Sequence, residues 1–468
     1  MTAKALILAA GAGTRMKSDK PKVVHEVLGK PLVRWVVDAA HDAGIEDVVT
    51  VLGHMSEKVA PFVEGDTKIA IQTQQLGTGD AVNAGREAFT QADGSIAEGS
   101  LVVLSGDCPL ITPETIQALI AKREETGAAV VVLTMHMDDP FGYGRIVREG
   151  EAVVRIVEQK DANDQEAAIT ECNSGFYCFD APALFDALSR VSNDNAQGEY
   201  YLTDVLEICR NDGREVLALQ TADAEEAMGV NSRVQLAQAT HAMQHRINNR
   251  HMMAGVTMWD PESTFIGPDV EIAQDVELWP QTYLLGTTKV GSHSVIGPNT
   301  RLTDTQVGCG ARVDETVAIE AQIDDAAECG PRAYLRPGTH LCEGAKAGTH
   351  VEIKKSTIGK GSKVPHLSYI GDTTMGENVN IGAGSITCNY DGVNKNHTEI
   401  GDNVFVGSDT MMVAPVNIGA GAIIGASSCI TRDVAPDALA LERADQREIE
   451  GWAAKHMAKL KAKKKAGK

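Results

Sequence analysis

Apolar residues follow two different patterns along this chain, and the change falls near residue 230. Before it, short apolar runs of strand length alternate with segments in which apolar positions recur at helical spacing. Four runs are typical of buried strands, Ala5 to Ala10, Val48 to Leu52, Leu101 to Leu104 and Ala128 to Thr134, and Pro31 to Ala43 is typical of a helix. This alternation predicts a parallel sheet with helices on its faces, in which ligands bind at the carboxyl ends of the strands.

A segment without glycine or proline, residues 232 to 253, separates the two patterns. It places Val234, Ala237, Met243 and Ile247 at roughly helical spacing, which predicts a connecting helix. Its histidines and arginines are expected to form a solvated face rather than a site.

Beyond Gly255, an aliphatic residue followed by glycine recurs at spacings that are often six or close to a multiple of six. Period six is typical of a β-solenoid, in which an aliphatic side chain points inward on each face of a triangular coil. A helical period does not fit, because glycine is too frequent. Among the breaks in the repeat, Asp324 to Gly348 and Asn389 to Thr398 are expected to be insertions, which usually carry binding function in a solenoid.

Composition and charge narrow the classes of function. A chain of 468 residues predicts two or three domains, and its formal net charge of −21 argues against a nucleic-acid partner or an anionic-membrane surface. Residues 452 to 468 differ, with seven lysines and no acidic residue, and are expected to be a solvated tail. The nine cysteines are scattered and never form C-x-x-C, so neither a disulfide framework nor a zinc site is indicated. Without a signal peptide or an apolar run of membrane-spanning length, the protein is expected to be cytoplasmic and not inserted in a membrane.

Candidate chemistry begins where the first apolar strand runs into a glycine loop, A-L-I-L-A-A-G-A-G-T-R-M-K-S-D-K-P-K from Ala5 to Lys22. Gly11 and Gly13 let the backbone approach a ligand, and Arg15 and Lys22 supply the charge that a triphosphate and a leaving pyrophosphate need. The spacing matches neither G-x-G-x-x-G nor G-x-x-x-x-G-K-[ST]. The segment resembles L-A-A-G-x-G-T-R-M-x-S-x-x-P-K, the signature of sugar-nucleotide pyrophosphorylases, which join a nucleoside triphosphate to a sugar 1-phosphate.

This resemblance implies a set of site residues. Asp107, after the strand L-V-V-L, and Asn231, in G-V-N, would hold a metal ion, Mg²⁺ or Co²⁺, while Arg15 and Lys22 would stabilise the charge that develops. The run Q-L-G-T-G favours uracil, and hence UTP. Contacts to nucleotide and sugar are expected from Leu8, Ala9, Ala10, Gly11, Lys22, Gln72, Gly77, Thr78, Ser105, Gly106, Asp107, Gly144, Glu158, Asn173 and Asn231.

The solenoid half carries a second set of motifs. They are L-R-P-G, V-E-I-K-K, H-L-S-Y-I-G-D, N-V-N-I-G-A-G and T-C-N-Y-D-G, and they contain Arg336, Lys354, His366, Tyr369, Asn380, Asn389 and Tyr390. Together they resemble the acetyltransferase half of the bacterial bifunctional N-acetylglucosamine-1-phosphate uridylyltransferase/glucosamine-1-phosphate acetyltransferases, and the resemblance covers essentially the whole chain.

An amine must lose a proton before it attacks a thioester, which makes His366 the candidate general base. By resemblance, Arg336 and Lys354 would hold the sugar phosphate, and Tyr369 and Asn380 would orient the sugar. Acetyl-CoA, as cosubstrate, is expected to contact Ala383, Asn389, Tyr390, Ser408, Ala426 and Arg443.

The resemblance implies an α/β Rossmann-like nucleotidyltransferase domain over residues 1–231, a linker helix over 232–253, a left-handed parallel β-helix of hexapeptide repeats over 254–450, and a lysine-rich tail over 451–468. The β-helix half would acetylate glucosamine 1-phosphate, and the N-terminal half would join the resulting N-acetylglucosamine 1-phosphate to UTP. A homotrimer with acetyl sites between subunits is implied, and the product would feed peptidoglycan and lipopolysaccharide synthesis. Two alternatives stay open: a single-activity pyrophosphorylase whose β-helix serves assembly or regulation, and a non-catalytic assembly subunit.

Overall fold

The computed structural model describes residues 3–11 and 13–466. Ala12, in the predicted glycine loop, and Gly467 and Lys468, at the end of the predicted tail, lie outside the described residues. The chain divides into two compact units, Met1–Met253 with Phe265–Asp269, and Ala254–Thr264 with Val270–Lys468.

A nine-stranded sheet forms the centre of the first unit. Strand Lys4–Ala9 lies between Asp47–Leu52 and Ser100–Ser105 and runs parallel to both. Apolar side chains pack on both faces of the sheet, so its central strands are almost continuously apolar. The four predicted strands and the first predicted helix are present to within two residues at each end. The other strands of the unit are Glu26–Val27, Lys30–Pro31, Lys68–Ile71, Val130–His136, Arg145–Glu149, Ala152–Val157, Glu171–Asp180, Val216–Gln220 and Phe265–Ile266.

The predicted parallel sheet is present, but one of its inner strands runs the other way. Strand Glu171–Asp180 runs antiparallel to both Ser100–Ser105 and Val130–His136. The chain enters it from the antiparallel hairpin Arg145–Glu149 and Ala152–Val157 rather than from the long crossover helix that a parallel return requires.

Helices cover the sheet, and capping residues mark the ends of the helix Pro113–Thr126. Pro113–Thr126 starts after Thr112, whose hydroxyl accepts a hydrogen bond from the Thr115 N–H, and ends at Gly127, whose φ of +70° suits a left-handed C-cap. The helices are Leu32–Asp42, Ser56–Val59, Thr78–Ala84, Pro113–Thr126, Asp164–Ala167, Ala181–Leu188, Asp204–Asn211 and Arg233–Met253.

The connecting helix exists, over Arg233–Met253, but its buried face was partly mispredicted. Met243 and Ile247 are buried, whereas Val234 is 68% exposed and Ala237 is also exposed. The buried face contains His251 instead of presenting it to solvent, and burial, with a smaller effect of Arg250, lowers the pKa of this histidine to about 4.

The second unit is a parallel β-helix, so the predicted succession of an α/β domain and a hexapeptide solenoid is confirmed. Each strand pairs in parallel with the strand one coil later, as Tyr283–Leu285 does with Arg301–Thr303. The inward residues Leu284 and Leu302 are fully buried, and fully buried threonines such as Thr300 occupy the corners.

The strands form three faces. The first face contains Thr257–Met258, Glu277–Leu278, Val295–Ile296, Arg312–Val313, Glu328–Cys329, Lys346–Thr349, Lys363–His366, Asn380–Ile381, Phe405–Val406, Ile423–Ile424 and Leu439–Ala440. The second face contains Tyr283–Leu285, Arg301–Thr303, Val317–Ile319, Tyr334–Leu335, Glu352–Lys354, Tyr369–Gly371, Ile386–Cys388, Met411–Val413 and Cys429–Ile430. The third face contains Glu271–Ile272, Lys289–Val290, Gln306–Val307, Gln322–Ile323, His340–Leu341, Thr357–Ile358, Thr373–Met375, Thr398–Ile400 and Val416–Ile418.

One of the two predicted insertions does not exist. The coil continues without a break through residues 324–348, because Cys329, Leu335, Leu341 and Ala347 keep the period of six and are all buried. Cysteine and alanine fill inward positions there, so the aliphatic-glycine pairs vanish while the coil does not. The loop at 389–398 is present, between Ile386–Cys388 and Thr398–Ile400.

The lysine-rich end of the chain forms a helix, Trp452–Ala466, that is exposed over its whole length. Across residues 3–11 and 13–466, no helix combines the length and the apolar composition needed to cross a membrane.

Candidate functional site

A cavity of about 420 Å³ opens at the carboxyl end of strand Lys4–Ala9. Its position follows from the parallel register, which brings the ends of three strands to the same edge of the sheet. Ten of the predicted residues line this cavity: Leu8, Ala9, Ala10, Gly11, Lys22, Gln72, Gly77, Thr78, Ser105 and Asp107. Gly106 lies next to it, with its N–H donating to the Leu8 carbonyl at 2.9 Å.

Sequence reasoning missed four lining residues, Val23, Gln75, Ala81 and Glu199. Gln75 lies inside the recognised run Q-L-G-T-G, which could have indicated it, and Val23 directly follows the glycine-loop segment that ends at Lys22. Glu199 carries no such signal, because it reaches the cavity from a loop more than ninety residues away in the sequence from every other lining residue.

That loop is pinned to the turn that precedes helix Thr78–Ala84. Gly77 has a φ of +112°, and a Cβ there would lie 2.6 Å from the Tyr200 carbonyl oxygen. The Leu202 N–H donates to Thr78 Oγ1 at 3.0 Å, and Gln72 Nε2 donates to the Gly77 carbonyl at 3.1 Å. Only glycine permits this close backbone approach.

Four predicted residues meet at one end of the cavity and form a charged cluster, Arg15, Lys22, Asp107 and Asn231. Lys22 Nζ forms an ion pair with Asp107 Oδ2 and donates to Asn231 Oδ1 at 2.9 Å. Arg15 Nη2 donates to the same Asn231 oxygen at 3.0 Å. The Val230 N–H donates to the Asp107 carbonyl at 2.9 Å, which ties the G-V-N turn to the strand end. The two oxygens predicted to hold a metal ion therefore converge on one cationic nitrogen.

Gly13 allows the chain to bring Lys22 into this cluster. Its φ is +62°, and a Cβ on it would lie 2.5 Å from Lys22 Cβ, well inside van der Waals contact. Both observations require glycine at this position.

Gly144, Glu158 and Asn173 form a second group in the same unit. A Cβ at Gly144 would lie 3.5 Å from Asn173 Cβ and 3.6 Å from Glu158 Oε1. Gly175, in strand Glu171–Asp180, lies next to Ser105 of the cavity wall, because a Cβ on it would be 3.3 Å from Ser105 Oγ. Burial raises the pKa of Glu158, and the hydrogen bond from Thr203 Oγ1, at 3.4 Å, opposes that rise.

On the second face of the β-helix, three predicted residues lie beside carboxylates. Arg336 Nη1 donates to Glu352 Oε1 at 2.9 Å, and Lys354 Nζ lies 3.7 Å from Asp372 Oδ2. The register places Tyr369 opposite Glu352 in the next coil. Arg336 and Lys354 stand at the same strand end on successive coils, since the Arg336 N–H donates to the Ile353 carbonyl at 2.8 Å.

Asn389 joins this group, although the resemblance assigned it to acetyl-CoA. Its Nδ2 donates to Asp372 Oδ2 at 2.6 Å and lies 3.4 Å from the Tyr369 hydroxyl oxygen. Asp372 is 8% exposed, so a nearly buried carboxylate, which sequence reasoning missed, holds Lys354 and Asn389 in place.

His366 lies around the corner, at the end of strand Lys363–His366 on the first face, with its ring exposed. The Ser368 hydroxyl donates to the His366 backbone carbonyl at 2.7 Å and fixes the corner between the two faces. Asn380 follows on the first face one coil later, opposite Lys363. No hydrogen bond or ion pair within residues 3–11 and 13–466 joins the His366 side chain to Arg336, Lys354 or Tyr369, which belong to the second face.

The residues predicted for acetyl-CoA fall into a column and a loop. Ala383, Ser408 and Ala426 stand on successive coils, linked by the hydrogen bonds Asp409 N–H to Ala383 O (2.7 Å) and Ser427 N–H to Ser408 O (2.8 Å). Arg443 Nη1 donates to the Ala426 carbonyl at 3.1 Å. Tyr390 lies apart from the column in the 389–398 loop, where Lys395 Nζ is 4.1 Å from the centre of its ring.

Comparisons with known proteins agree with this division. A family model described as the MobA-like NTP transferase domain matches residues 5–206, and one described as bacterial transferase hexapeptide (six repeats) matches residues 397–432. Three relatives called "Bifunctional protein GlmU" match nearly the whole chain. That of Syntrophotalea carbinolica is 50% identical, covering 98% of both chains. That of Streptomyces avermitilis is 49% identical, covering 97% of this chain and 94% of its own, and that of Syntrophomonas wolfei is 48% identical, covering 96% and 99%.

The matches to these relatives extend over both units, and about half of the aligned residues are identical. This finding decides against a single-activity pyrophosphorylase and against a non-catalytic subunit. The chain therefore belongs to the family of bifunctional GlmU proteins, enzymes that join a nucleotidyltransferase domain and a hexapeptide acetyltransferase domain in one polypeptide.

Proposed function

We propose that the charged cluster and the cavity beside it carry the uridylyl-transfer half of UDP-N-acetylglucosamine synthesis. The observation that supports this most is the convergence of Lys22 and Arg15 on Asp107 and Asn231 at the open end of a cavity lined by the glycine loop. Phosphoryl and nucleotidyl transfer require positive charge and accurate position more than covalent chemistry from the protein.

In the proposed reaction a phosphate oxygen of N-acetylglucosamine 1-phosphate attacks the α-phosphorus of UTP in line. The bond from that phosphorus to the bridging oxygen breaks, and pyrophosphate leaves. No general base is needed, because the attacking phosphate is already ionised. Lys22 and Arg15 stabilise the charge of the leaving pyrophosphate, and the backbone from Leu8 to Gly11 approaches the nucleotide.

Asp107 and Asn231 are the proposed ligands of the metal ion, Mg²⁺ or Co²⁺. Their oxygens fit this role because they already share one cationic partner, Lys22 Nζ, and because carboxylate and amide oxygens are ligands that Mg²⁺ accepts. When bound, such an ion would supply positive charge that stabilises the negative charge of the phosphates.

The group formed by Gly144, Glu158 and Asn173 is proposed to receive the sugar. Gly144 leaves the space that a Cβ would fill, beside the Glu158 carboxyl and the Asn173 side chain. A carboxyl and an amide offer acceptors and donors to sugar hydroxyls, and a hydrogen bond from the sugar would stabilise the partly buried carboxyl of Glu158.

In the β-helix, the proposed reaction is N-acetylation of glucosamine 1-phosphate by acetyl-CoA. Arg336 and Lys354 bind the phosphate, while Tyr369 and Asn380 orient the sugar. His366 takes a proton from the amine, the nitrogen attacks the thioester carbonyl, the C–S bond breaks, and coenzyme A leaves as its thiol. The column Ala383, Ser408 and Ala426, with Arg443 at its end, and the loop residues Asn389 and Tyr390 are proposed to contact acetyl-CoA.

We also infer that the active form is a homotrimer that works in the cytoplasm, where UTP and acetyl-CoA are available. An exposed apolar column supports the assembly: Phe405, Ile423 and Leu439 are in register on successive coils of the first face and are 50%, 49% and 65% exposed. Such a stripe on a regular solenoid is best explained by burial against another subunit. Light scattering on the purified protein tests this directly, and a monomer at working concentration would contradict it.

Mass spectrometry of the products tests the function. The purified protein receives glucosamine 1-phosphate, acetyl-CoA, UTP and Mg²⁺, and each component is then omitted in turn. We expect N-acetylglucosamine 1-phosphate to accumulate without UTP, and no UDP-sugar to form without acetyl-CoA. UDP-glucosamine formed from glucosamine 1-phosphate and UTP without acetyl-CoA would contradict the proposed order.

A further inference from the structure

Three side chains of different chemistry meet on the outside of the β-helix, on a different face from the two residues proposed to bind the sugar phosphate. Asp324 follows strand Gln322–Ile323 of the third face, and His340 and Cys342 flank Leu341 in the strand one coil later. Ile323 and Leu341 are buried, so the residues on either side of them point outward. All three side chains are therefore on one outer surface.

The potential ligand atoms of these three side chains lie within 4.8 Å of one another. His340 Nε2 is 2.7 Å from Asp324 Oδ2 and 3.9 Å from Cys342 Sγ. A tetrahedral zinc ion with Zn–N and Zn–O distances of about 2.0–2.1 Å and a Zn–S distance of about 2.3 Å needs ligand atoms roughly 3.3–3.7 Å apart. Small side-chain rotations reach that spacing.

The backbone holds these residues firmly. The Asp324 N–H donates to the Leu341 carbonyl at 2.8 Å, and the Cys342 and His340 N–H groups donate to Ile358 and Ser356 of the following coil, each at 2.9 Å. Gln322 Nε2 donates to Asp324 Oδ1 at 2.8 Å, which orients the carboxylate and leaves Oδ2 facing the histidine. This is the kind of outer hydrogen bond that fixes a metal-binding carboxylate.

We propose that Asp324, His340 and Cys342 bind one divalent cation of the zinc class and thereby link two coils of the β-helix. The combination of carboxylate, imidazole and thiolate suits Zn²⁺, whereas Mg²⁺ and Ca²⁺ prefer sets of oxygen ligands alone. On binding, the Cys342 thiol gives its proton to solvent and a sulfur–metal bond forms, with water completing the tetrahedron. The site is separate from both reactions, so the proposal does not depend on the roles assigned to their residues.

The sequence contains no C-x-x-C motif, and this absence argued against a zinc site. The motif describes ligands within one loop, whereas the proposed ligands come from two coils. In a solenoid, residues one coil apart become neighbours, so Asp324 and His340 come together although sixteen positions separate them. A sequence spacing rule for metal ligands within a single loop cannot find such a set.

The test measures Zn²⁺ binding to the full-length protein by competition with a coloured chelator. Excess Mg²⁺ is present so that it fills the metal site proposed in the first unit, whose ligands are all oxygen atoms. We expect one equivalent of Zn²⁺ to bind wild type, and its affinity to fall more than about 100-fold in both Cys342→Ser and His340→Gln, since losing even an outer partner costs 10- to 100-fold. Substitution by Co²⁺ should give a thiolate-to-metal absorption band that Cys342→Ser removes.

Two variants serve as matched controls. His397 lies 3.2 Å from Glu399, and neither it nor the exposed Cys309 belongs to a group of three potential metal ligands in the part of the chain that the structure describes. His397→Gln and Cys309→Ser should therefore bind Zn²⁺ as wild type does. Far-ultraviolet circular dichroism confirms that each variant is folded. If wild type binds no more Zn²⁺ than His340→Gln, or if the thiolate band persists in Cys342→Ser, the proposed site is wrong.

Discussion

Gly13 shows at the scale of one residue how backbone geometry places charge in the first site. Its left-handed φ and the 2.5 Å approach that a Cβ would make to Lys22 Cβ both depend on the missing side chain. Lys22 in turn reaches Asp107 and Asn231 only because its backbone passes this close to the glycine loop. The two ends of the motif are thus adjacent in space.

Gly13→Ala should lower uridylyl transfer by about 10²-fold, because displacement of Lys22 by an ångström misplaces the charge near the leaving group. Steady-state assays of pyrophosphate release measure this. Gly29→Ala is the matched control, since Gly29 also has a positive φ, +85°, but a Cβ there meets nothing within 4 Å. Equal losses in the two variants would show that backbone strain, and not crowding at Lys22, is responsible.

His366 carries the proposed acetyl-transfer mechanism. His366→Ala should lower acetylation by about 10²–10⁴-fold, the usual contribution of a general base, while uridylyl transfer from supplied N-acetylglucosamine 1-phosphate is unchanged. Detection of free coenzyme A thiol gives the rate. The control is His293→Asn, at an exposed histidine of the same unit whose φ of +61° asparagine tolerates. Near-normal acetylation by His366→Ala would remove this residue from the mechanism and leave Tyr369 as the next candidate.

Asp204 gives a prediction about pH and stability. Burial, and then Glu207 and Asp161, raise the pKa of its carboxyl from 3.8 to about 6. The folded protein therefore binds this proton more tightly than the unfolded chain does, so the free energy of unfolding falls as the pH rises from about 4 to 6 and stays lower above that.

Asp204→Asn should remove this decline. The shift of about two pKa units, reduced for partial exposure to solvent, corresponds to roughly 1–2 kcal/mol near pH 7. Calorimetry at pH 5 and pH 7 measures the midpoint of the first unit's transition in both proteins, with the exposed Glu125→Gln as control. A variant with the same pH dependence as wild type would show that Asp204 is not the group responsible.

Some residues of the first site could be predicted from the sequence and others could not. The first strand and the glycine loop are continuous in the sequence, and Asp107 follows a second apolar strand. Because the carboxyl ends of parallel strands meet at one edge of a sheet, their meeting in one cavity could be predicted. Glu199 could not, because hydrogen bonds of a distant loop bring it in. The contact made by Glu199 leaves no periodic trace in the sequence. In the second unit, by contrast, Asp372 ends the recognised motif H-L-S-Y-I-G-D, so that motif could have indicated it.

At the scale of elements, the β-helix coil accepts small apolar residues at inward positions, and such coils lack the aliphatic-glycine pairs by which the repeat is recognised in the sequence. The period of six predicted the solenoid correctly, since one inward side chain per face is a physical requirement of the coil. The segment from Asp324 to Gly348 was mistaken for an insertion because Cys329 and Ala347 fill inward positions usually held by aliphatic residues. What the coil requires is an apolar side chain of fitting volume at each sixth position, whether or not glycine follows it.

Adjacent residues of strand Arg301–Thr303 test that requirement. Leu302 points inward and is fully buried, whereas its neighbour Arg301 is exposed. Leu302→Ala should lower the stability of the β-helix by about 2–5 kcal/mol, because it leaves a cavity between stacked coils. Arg301→Ala should change it by less than about 0.5 kcal/mol. The midpoint of the β-helix transition in calorimetry measures both, and similar effects of the two substitutions would contradict the inward-outward assignment.

At the scale of the whole molecule, the chain joins two units that each have their own core and their own set of charged groups. The charged cluster lies entirely within the first unit, and the group around Arg336, Lys354 and Tyr369 lies entirely within the second. Membership in a bifunctional family is consistent with this arrangement, in which each half performs one reaction and the product of the second unit is the substrate of the first.

The central claim is that the two reactions depend on separate residues in separate units, and Asp107→Ala tests it most directly. Both rates are measured on one preparation of the variant whose folding and assembly match those of wild type, with the exposed Glu125→Ala as control. We expect formation of the UDP-sugar to fall by about 10²–10³-fold, since metal stabilisation of several kcal/mol is lost and 1.4 kcal/mol is tenfold. Acetylation of glucosamine 1-phosphate should stay at the wild-type rate, so that N-acetylglucosamine 1-phosphate accumulates. If acetylation fell together with UDP-sugar formation, or if UDP-sugar formation survived, the assignment of the two reactions to independent sites would be contradicted.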